Sequence, residues 1–261
     1  MAITLRSRRE IELMGKAGAV VADVLSKLKE IAEPGMTTGR LDEVALQMVA
    51  DAGAKALFKG VRAPMSRIPF PGAICASVND EVVHGIPSES TELSDGDILS
   101  IDFGVRLNGY CADAALTVAI GEVADDRRRL IDVTKCVLNI AIEKSAPTVR
   151  WSQVAAAMQQ CAESAGFSVV KDFVGHGIGT KMHEEPRVPN FVSNDLLSND
   201  IVLAEGMVLA VEPMINAGSS AVRTLRNGWT VVTRDGKCSA HFEHTIAIVE
   251  DGCEVLTRKQ V

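Results

Sequence analysis

The sequence predicts an α+β domain made of two similar halves, each running from a pair of helices into a group of strands. Two observations carry that prediction. Hydrophobic periodicity sets an order of helix, helix and strands over about residues 7–122, and the same order returns over about 123–250. Short strings recur in that order as well: GDILSID at 96–102 matches GMVLAVE at 206–212, and VHGIP at 83–87 matches GHGIG at 175–179. Each pair falls in the strand portion of its half, which makes Asp102 and Glu212 equivalent positions about a pseudo-twofold. No linker-like or low-complexity stretch separates the halves, so one domain over residues 1–261 is expected.

The elements follow in chain order. From about Arg8 to Ala32, Ile11, Met14, Val21, Leu25 and Leu28 recur at helical spacing until Pro34-Gly35 stops the run. A second helix starts from a cap at Thr38, carries Leu41, Val44, Ala45, Met48 and Val49 inward, and ends at Gly53. Strands are expected at 73–78 and over 97–118. The second half repeats this with helices from about Asp126 to Lys144 and from Ser152 to near Gly166. Strands are then expected near 168–174, 207–214, 229–233 and 240–249.

A hydrophobic content of 47% over 261 residues is ample for a packed core. A net charge of −7 argues against a general nucleic-acid binder, which shows a basic patch or stripe. The basic runs at Arg6–Arg9 and Arg127–Arg129 read as solvated helix faces. The six cysteines form no CxxC pair and no regular framework, which points to a reducing cytoplasm. The opening MAITLRSRREIELMGKAG lacks an apolar signal-type run, and no stretch approaches the ~18 apolar residues of a membrane-spanning helix.

Within 97–118, Asn108-Gly109 between two alternating runs marks a two-residue hairpin loop. If Leu107 pairs with Tyr110, Asp113 lies opposite Gly104, and Asp102 and Asp113 become diagonal neighbours on one face. Like charges that close need a cation between them or a proton on one of them. The alternative is a register slipped by one, with one aspartate at a solvated strand end.

The polar residues that interrupt apolar strands are Asp102, Asp113, His176, Glu212 and Glu243, a hard, oxygen-rich set suited to divalent ions such as Mn, Fe or Co. Alternation in SAHFEHTIAIV puts His241, Glu243 and Thr245 on one face, although a single strand glutamate more often faces solvent. Glu212, squeezed between MVLAV and Pro213, is harder to expose. His176 lies in GHGIG, where flanking glycines admit a close backbone approach, although a lone histidine is more often structural. The dinucleotide spelling GxGxxG fails at Thr180, HEEP at 183–186 is not HExxH, and no GxSxG elbow is present.

The ordered set SVNDEVVHGIP, IDFG…NGYCAD, GHGIGTKMHEEP, VLAVEPM and FEHTIAI resembles the type I methionine aminopeptidases of bacterial kind, over about residues 75 to 249. The resemblance implies the duplicated pita-bread fold, a curved antiparallel sheet covered by two pairs of helices with pseudo-twofold symmetry. It implies two divalent metal ions (Co, Mn, Fe or similar) held by Asp102, Asp113, His176, Glu212 and Glu243, with a bridging hydroxide as nucleophile. Glu212 is then expected to relay the proton, while His84 and His183 contact the peptide unit in the substrate site. Phe70, Cys75, Met182 and Trp229 fall at or near the family's methionine-pocket positions.

The implied activity is removal of the N-terminal methionine, ahead of a small second residue, from peptides and nascent chains. The expected partners are such peptides and nascent chains, with the ribosome as a further candidate, and the enzyme is expected to be a monomer. The short interval between His183 and Glu212 excludes the helical insert of the type II branch. The chain departs from the family at FKGVRAPMSRIPF (58–70), and at Met182, where phenylalanine is usual; both touch the pocket. Two rivals share the fold. An Xaa-Pro aminopeptidase or prolidase usually carries a large extra N-terminal domain, and a binding module that kept only the fold should have lost ligands. All five expected ligands are present here.

Overall fold

The computed structural model describes residues 3–64 and 66–259. Helix α1 (Arg8–Ile31) opens on a capping box in which Ser7 and Glu10 satisfy each other's backbone N–H, and it buries Ile11, Met14, Val21, Leu25 and Leu28 as the periodicity predicts. Helix α2 (Thr38–Asp51) is capped one residue earlier than expected. Thr37 accepts from the Arg40 N–H, at 3.1 Å, whereas Thr38 is buried and donates to the Ser88 carbonyl at 3.2 Å. The cap role goes to the residue whose backbone is still extended.

Strands β1 (Lys55–Ala56), β2 (Ile74–Val78), β3 (Glu81–Val83), β4 (Ile98–Leu107) and β5 (Tyr110–Ala119) complete the first half. Helices α3 (Asp125–Lys144) and α4 (Trp151–Ser164) open the second. After them come β6 (Ser168–Val169), β7 (Gly175–Gly177), β8 (Glu184–Val188) and the short helix α5 (Asn194–Ser198). The chain continues through β9 (Val208–Val211), β10 (Met214–Asn216), β11 (Val222–Thr224), β12 (Val231–Thr233), β13 (Ser239–His241), β14 (Glu243–Val249) and β15 (Gly252–Val255).

A nine-stranded sheet runs β1-β4-β5-β14-β9-β7-β8, with β2 also on β4 and β15 also on β14; its described pairings are antiparallel. Two smaller sheets, β13-β10-β6 and β11-β12-β3, flank it. The β4–β5 hairpin turns at Asn108-Gly109 with Leu107 opposite Tyr110 and Gly104 opposite Asp113, the register the turn predicts. Ile101 and Phe103 pack into the core beneath α1 and α2, so alternation turns Asp102 to the other face. A second core beneath α3 and α4 gathers Leu130, Trp151, Met158, Leu209 and Ile246.

Three expected strands are shorter or broken. The run expected over 168–174 pairs only at Ser168–Val169, because Lys171 and Asp172 turn out to solvent. The run over 207–214 breaks at Glu212-Pro213, where proline offers no N–H to a ladder, and its two pieces join different sheets. The run over 240–249 likewise divides at Phe242.

The basic runs are not uniformly solvated either. Arg6 is half-buried and ion-paired to Glu184 at 2.5 Å, and Arg127 reaches Asn79 and the Gly96 carbonyl. All six cysteines are free, with the Cys136 and Cys161 sulfurs in contact at 3.8 Å. No helix of the described residues is long and apolar enough to cross a membrane.

Candidate metal centre and active site

The sheet brings the polar strand residues together at its centre. Cys75, Asp102 and Ala115 pair in a row across β2, β4 and β5, and Ala115 pairs onward with Glu243 of β14. Asp113 sits two residues before Ala115 on the same face, in space left by Gly104, where an added Cβ would lie 2.9 Å from its Oδ1. On the other flank, His176 of β7 pairs with Ala210 of β9, and Glu212 follows the end of β9. Gly175 and Gly177 permit that pairing, since a Cβ on either would strike the Ala210 or Glu185 carbonyl oxygen at 2.4 or 2.2 Å.

Side-chain donor atoms of Asp113, His176 and Glu243 lie within 4.8 Å of one another, as a group able to hold a metal ion requires. The His176 Nδ1 meets the Gly177 carbonyl at 2.9 Å, which fixes the proton on Nδ1 and leaves the Nε2 lone pair facing Glu212, 3.5 Å from its Oε1. The charge of Asp113 helps push the buried Asp102 carboxyl upward, which favours a proton on one of the two when no cation intervenes.

The electrostatics favour a cation. Burial pushes the Asp113 carboxyl up to about 7. Burial first, and acidic neighbours second, push Asp102, Glu212 and Glu243 well above the usual carboxylate range. Burial, then the nearby His183, holds His84 and His176 down to about 4, so both are neutral at pH 7. Asp102 Oδ1, Asp113 Oδ1 and Glu243 Oε1 are buried with no hydrogen-bond partner. Unpaired buried acceptors are costly, and one or more divalent ions would satisfy all three at once. The donor set therefore fits the metal that the sequence implies.

A cavity of about 960 Å³ opens onto this centre and is lined by every residue singled out from the sequence. One wall is apolar: Phe58, Phe70, Cys75 and Trp229 cluster, with Met182 packed against them. The Phe70 and Trp229 rings meet edge to face at 5.2 Å. The 58–70 loop is tied shut by Gly60 N–H to the Phe70 carbonyl and Phe70 N–H to the Val61 carbonyl, each 2.8 Å, and the Trp229 indole N–H donates to the Ile68 carbonyl. Met65 of that loop lies outside the described residues.

His84 projects from a left-handed backbone (φ 58°) with its ring against Phe173 at 5.6 Å. The His183 ring lies beside that of His176, centroids 4.3 Å apart and tilted by 58°. Sequence reasoning missed Phe58 and Phe173. Both lie in stretches with no clear periodicity, and only their place on the cavity wall marks them.

The model of metallopeptidase family M24 matches residues 12–250. A methionine aminopeptidase of Clostridium perfringens is 48% identical over 98% of both chains. The crystal structure of a methionine aminopeptidase from Thermotoga maritima superposes with a TM-score of 0.92 at 39% identity, over 99% of this chain and 100% of that one. A prolidase from Pyrococcus furiosus shares the pita-bread fold at 19% identity, with a TM-score of 0.77 and coverage of 98% of this chain and 66% of that one. The chain belongs to metallopeptidase family M24 and, within it, to the methionine aminopeptidases.

Proposed function

We propose that this protein removes the N-terminal methionine from peptides and nascent chains by metal-dependent hydrolysis, favouring a small second residue, in the cytoplasm. The observation that carries the reading is the convergence of Asp102, Asp113, His176, Glu212 and Glu243, with unpaired carboxylate oxygens, on the floor of a cavity walled by apolar side chains. The two halves, about 7–122 and 123–250, act as one catalytic unit over residues 1–261, since the two strands that face each other with Asp113 and Glu243 come one from each.

These five residues would hold two divalent ions, whose role is to lower the pKa of a water and to polarise the scissile carbonyl. His176 is ready to ligate, with its tautomer set by the Gly177 carbonyl. Glu212 lies beside that imidazole with its carboxyl basic enough to take a proton from the attacking water and pass it to the leaving amine. His84 and His183, which both line the cavity, reach the peptide unit and stabilise charge that develops on it. The Phe70, Cys75, Met182 and Trp229 cluster takes the methionine side chain, for which its apolar, soft lining is suited.

The test is release of methionine from a Met-Ala-Ser peptide by chelator-stripped protein resupplied with single metals. Activity should vanish on stripping and return with Co, Mn or Fe. Full turnover in the stripped protein would overturn the reading.

A further inference from the structure

The two halves meet in the main sheet along a seam that is only two residue pairs long, Glu243 opposite Ala115 and His244 opposite Ala114. Extending that register brings Thr245 opposite Asp113 at one end and His241 opposite Thr117 at the other. Neither position is a backbone pair. Instead, the Thr245 hydroxyl accepts from the Asp113 N–H at 3.0 Å and donates to the Asp113 carbonyl at 2.8 Å. The Thr117 hydroxyl does the same from the opposite strand, accepting from the His241 N–H at 2.9 Å and donating to the His241 carbonyl at 2.8 Å.

The strands diverge at both ends, which is why a side chain must span the gap. Past His244, β14 exchanges β5 for β15, starting with Ile246 opposite Val255, and the Thr245 N–H turns to the Thr257 hydroxyl at 3.2 Å. Before Glu243, β13 leaves for β10. Both threonines are buried, and Thr117 is saturated because the Ser100 hydroxyl also reaches it at 2.8 Å.

The clamped residues are not arbitrary. One is Asp113 itself. The other, His241, is two residues from Glu243, so the seam that carries two of the carboxylates facing each other is held at each end by one hydroxyl.

We propose that Thr245 and Thr117 are positioning residues of the metal centre, their paired hydroxyl clamps setting the separation of Asp113 from Glu243 across the seam between the halves. The inference rests on these residues being metal ligands, as argued above. Groups that orient metal ligands typically contribute about 10- to 100-fold to metal affinity.

Calorimetric titration of chelator-stripped protein with Mn²⁺, together with its melting temperature, tests this. Thr245→Val should weaken Mn²⁺ binding by about 10-fold or more, and Thr245→Ser, which keeps the hydroxyl, should bind within about threefold of wild type. Thr134→Val removes a buried hydroxyl bond of 2.7 Å to the Leu130 carbonyl on α3, where neither residue lines the cavity, and should lower the melting temperature while leaving Mn²⁺ affinity unchanged. If Thr245→Val does not fold, Thr117→Val carries the same expectation. Wild-type affinity in the folded valine variant, alongside a lower melting temperature, overturns the clamp and leaves the metal reading standing. Failure of the wild type itself to bind Mn²⁺ would sink the metal reading instead.

Discussion

His176 Nε2 lies 3.5 Å from Glu212 Oε1, while Nδ1 of the same ring is committed to the Gly177 carbonyl. The imidazole is thus neutral and turned by its own backbone toward the carboxylate that ends the matching strand of the sheet. Because burial holds His176 down to about 4, this contact at pH 7 is not a conventional salt bridge. Two acceptors face one another, an arrangement that calls for a cation or a proton between them.

Replacement of Glu212 by Gln should leave a folded protein with most of its turnover gone. The amide can neither take the water's proton nor supply charge to the ions, and loss of a general base costs ~10²–10⁴-fold. Circular dichroism and kcat for Met-Ala-Ser check this; more than about a tenth of wild-type kcat remaining removes Glu212 from the role.

His84→Ala should lower turnover and leave metal content nearly unchanged. The ring packs on Phe173 and lines the cavity, and it is absent from the close group of Asp113, His176 and Glu243. Metal analysis of the purified variant is decisive, because loss of an ion would make His84 a ligand.

Metal binding should release protons, and more of them at pH 6 than at pH 8. Ligating carboxylates must be ionised, and Asp113, pushed up to about 7, is mostly protonated at pH 6 and mostly ionised at pH 8. His84 and His176, held down to about 4, have already lost their protons at both values and contribute little. Affinity should therefore rise across this interval. Titrations in two buffers of different ionisation enthalpy measure the release, and an equal count at both pH values contradicts the assignment of Asp113.

Met-Ala-Ser should be cleaved with kcat/KM at least ~10²-fold above Met-Arg-Ser. In the proposed binding mode the methionine is seated among Phe70, Cys75 and Trp229 with the peptide unit near His84 and His183, so bulk on the second residue would displace the reacting atoms, and about 1 Å of displacement can cost that factor. Equal values for the two peptides would show that the cavity does not confine that side chain.

What the sequence determined by itself is local. The Asn108-Gly109 turn and strict alternation put Asp102, Gly104 and Asp113 on one face in their observed register, and the helical stripes of α1 and α2 named their own buried sides. These patterns are legible because period and turn geometry depend on neighbours a few residues away. His176, Glu212 and Glu243 stood out as polar residues interrupting apolar strands, and the family resemblance supplied the rest of the candidate site, His84 and His183 above all, which no periodicity marks.

Beyond the β4–β5 hairpin, tertiary structure alone decided which strands become partners. Pro213 and Phe242 send the apolar runs into different sheets, β7 forms beyond the strand expected near 168–174 and joins the main sheet, and the Arg6 side chain is paired with Glu184 although it stands in a basic run. The tautomer of His176 and the hydroxyl clamps of Thr117 and Thr245 belong to the same class. Each depends on a backbone group that pairing across the sheet, or the turn of the chain at the site, puts within 3 Å, and such pairings are fixed only when the two halves close on one another.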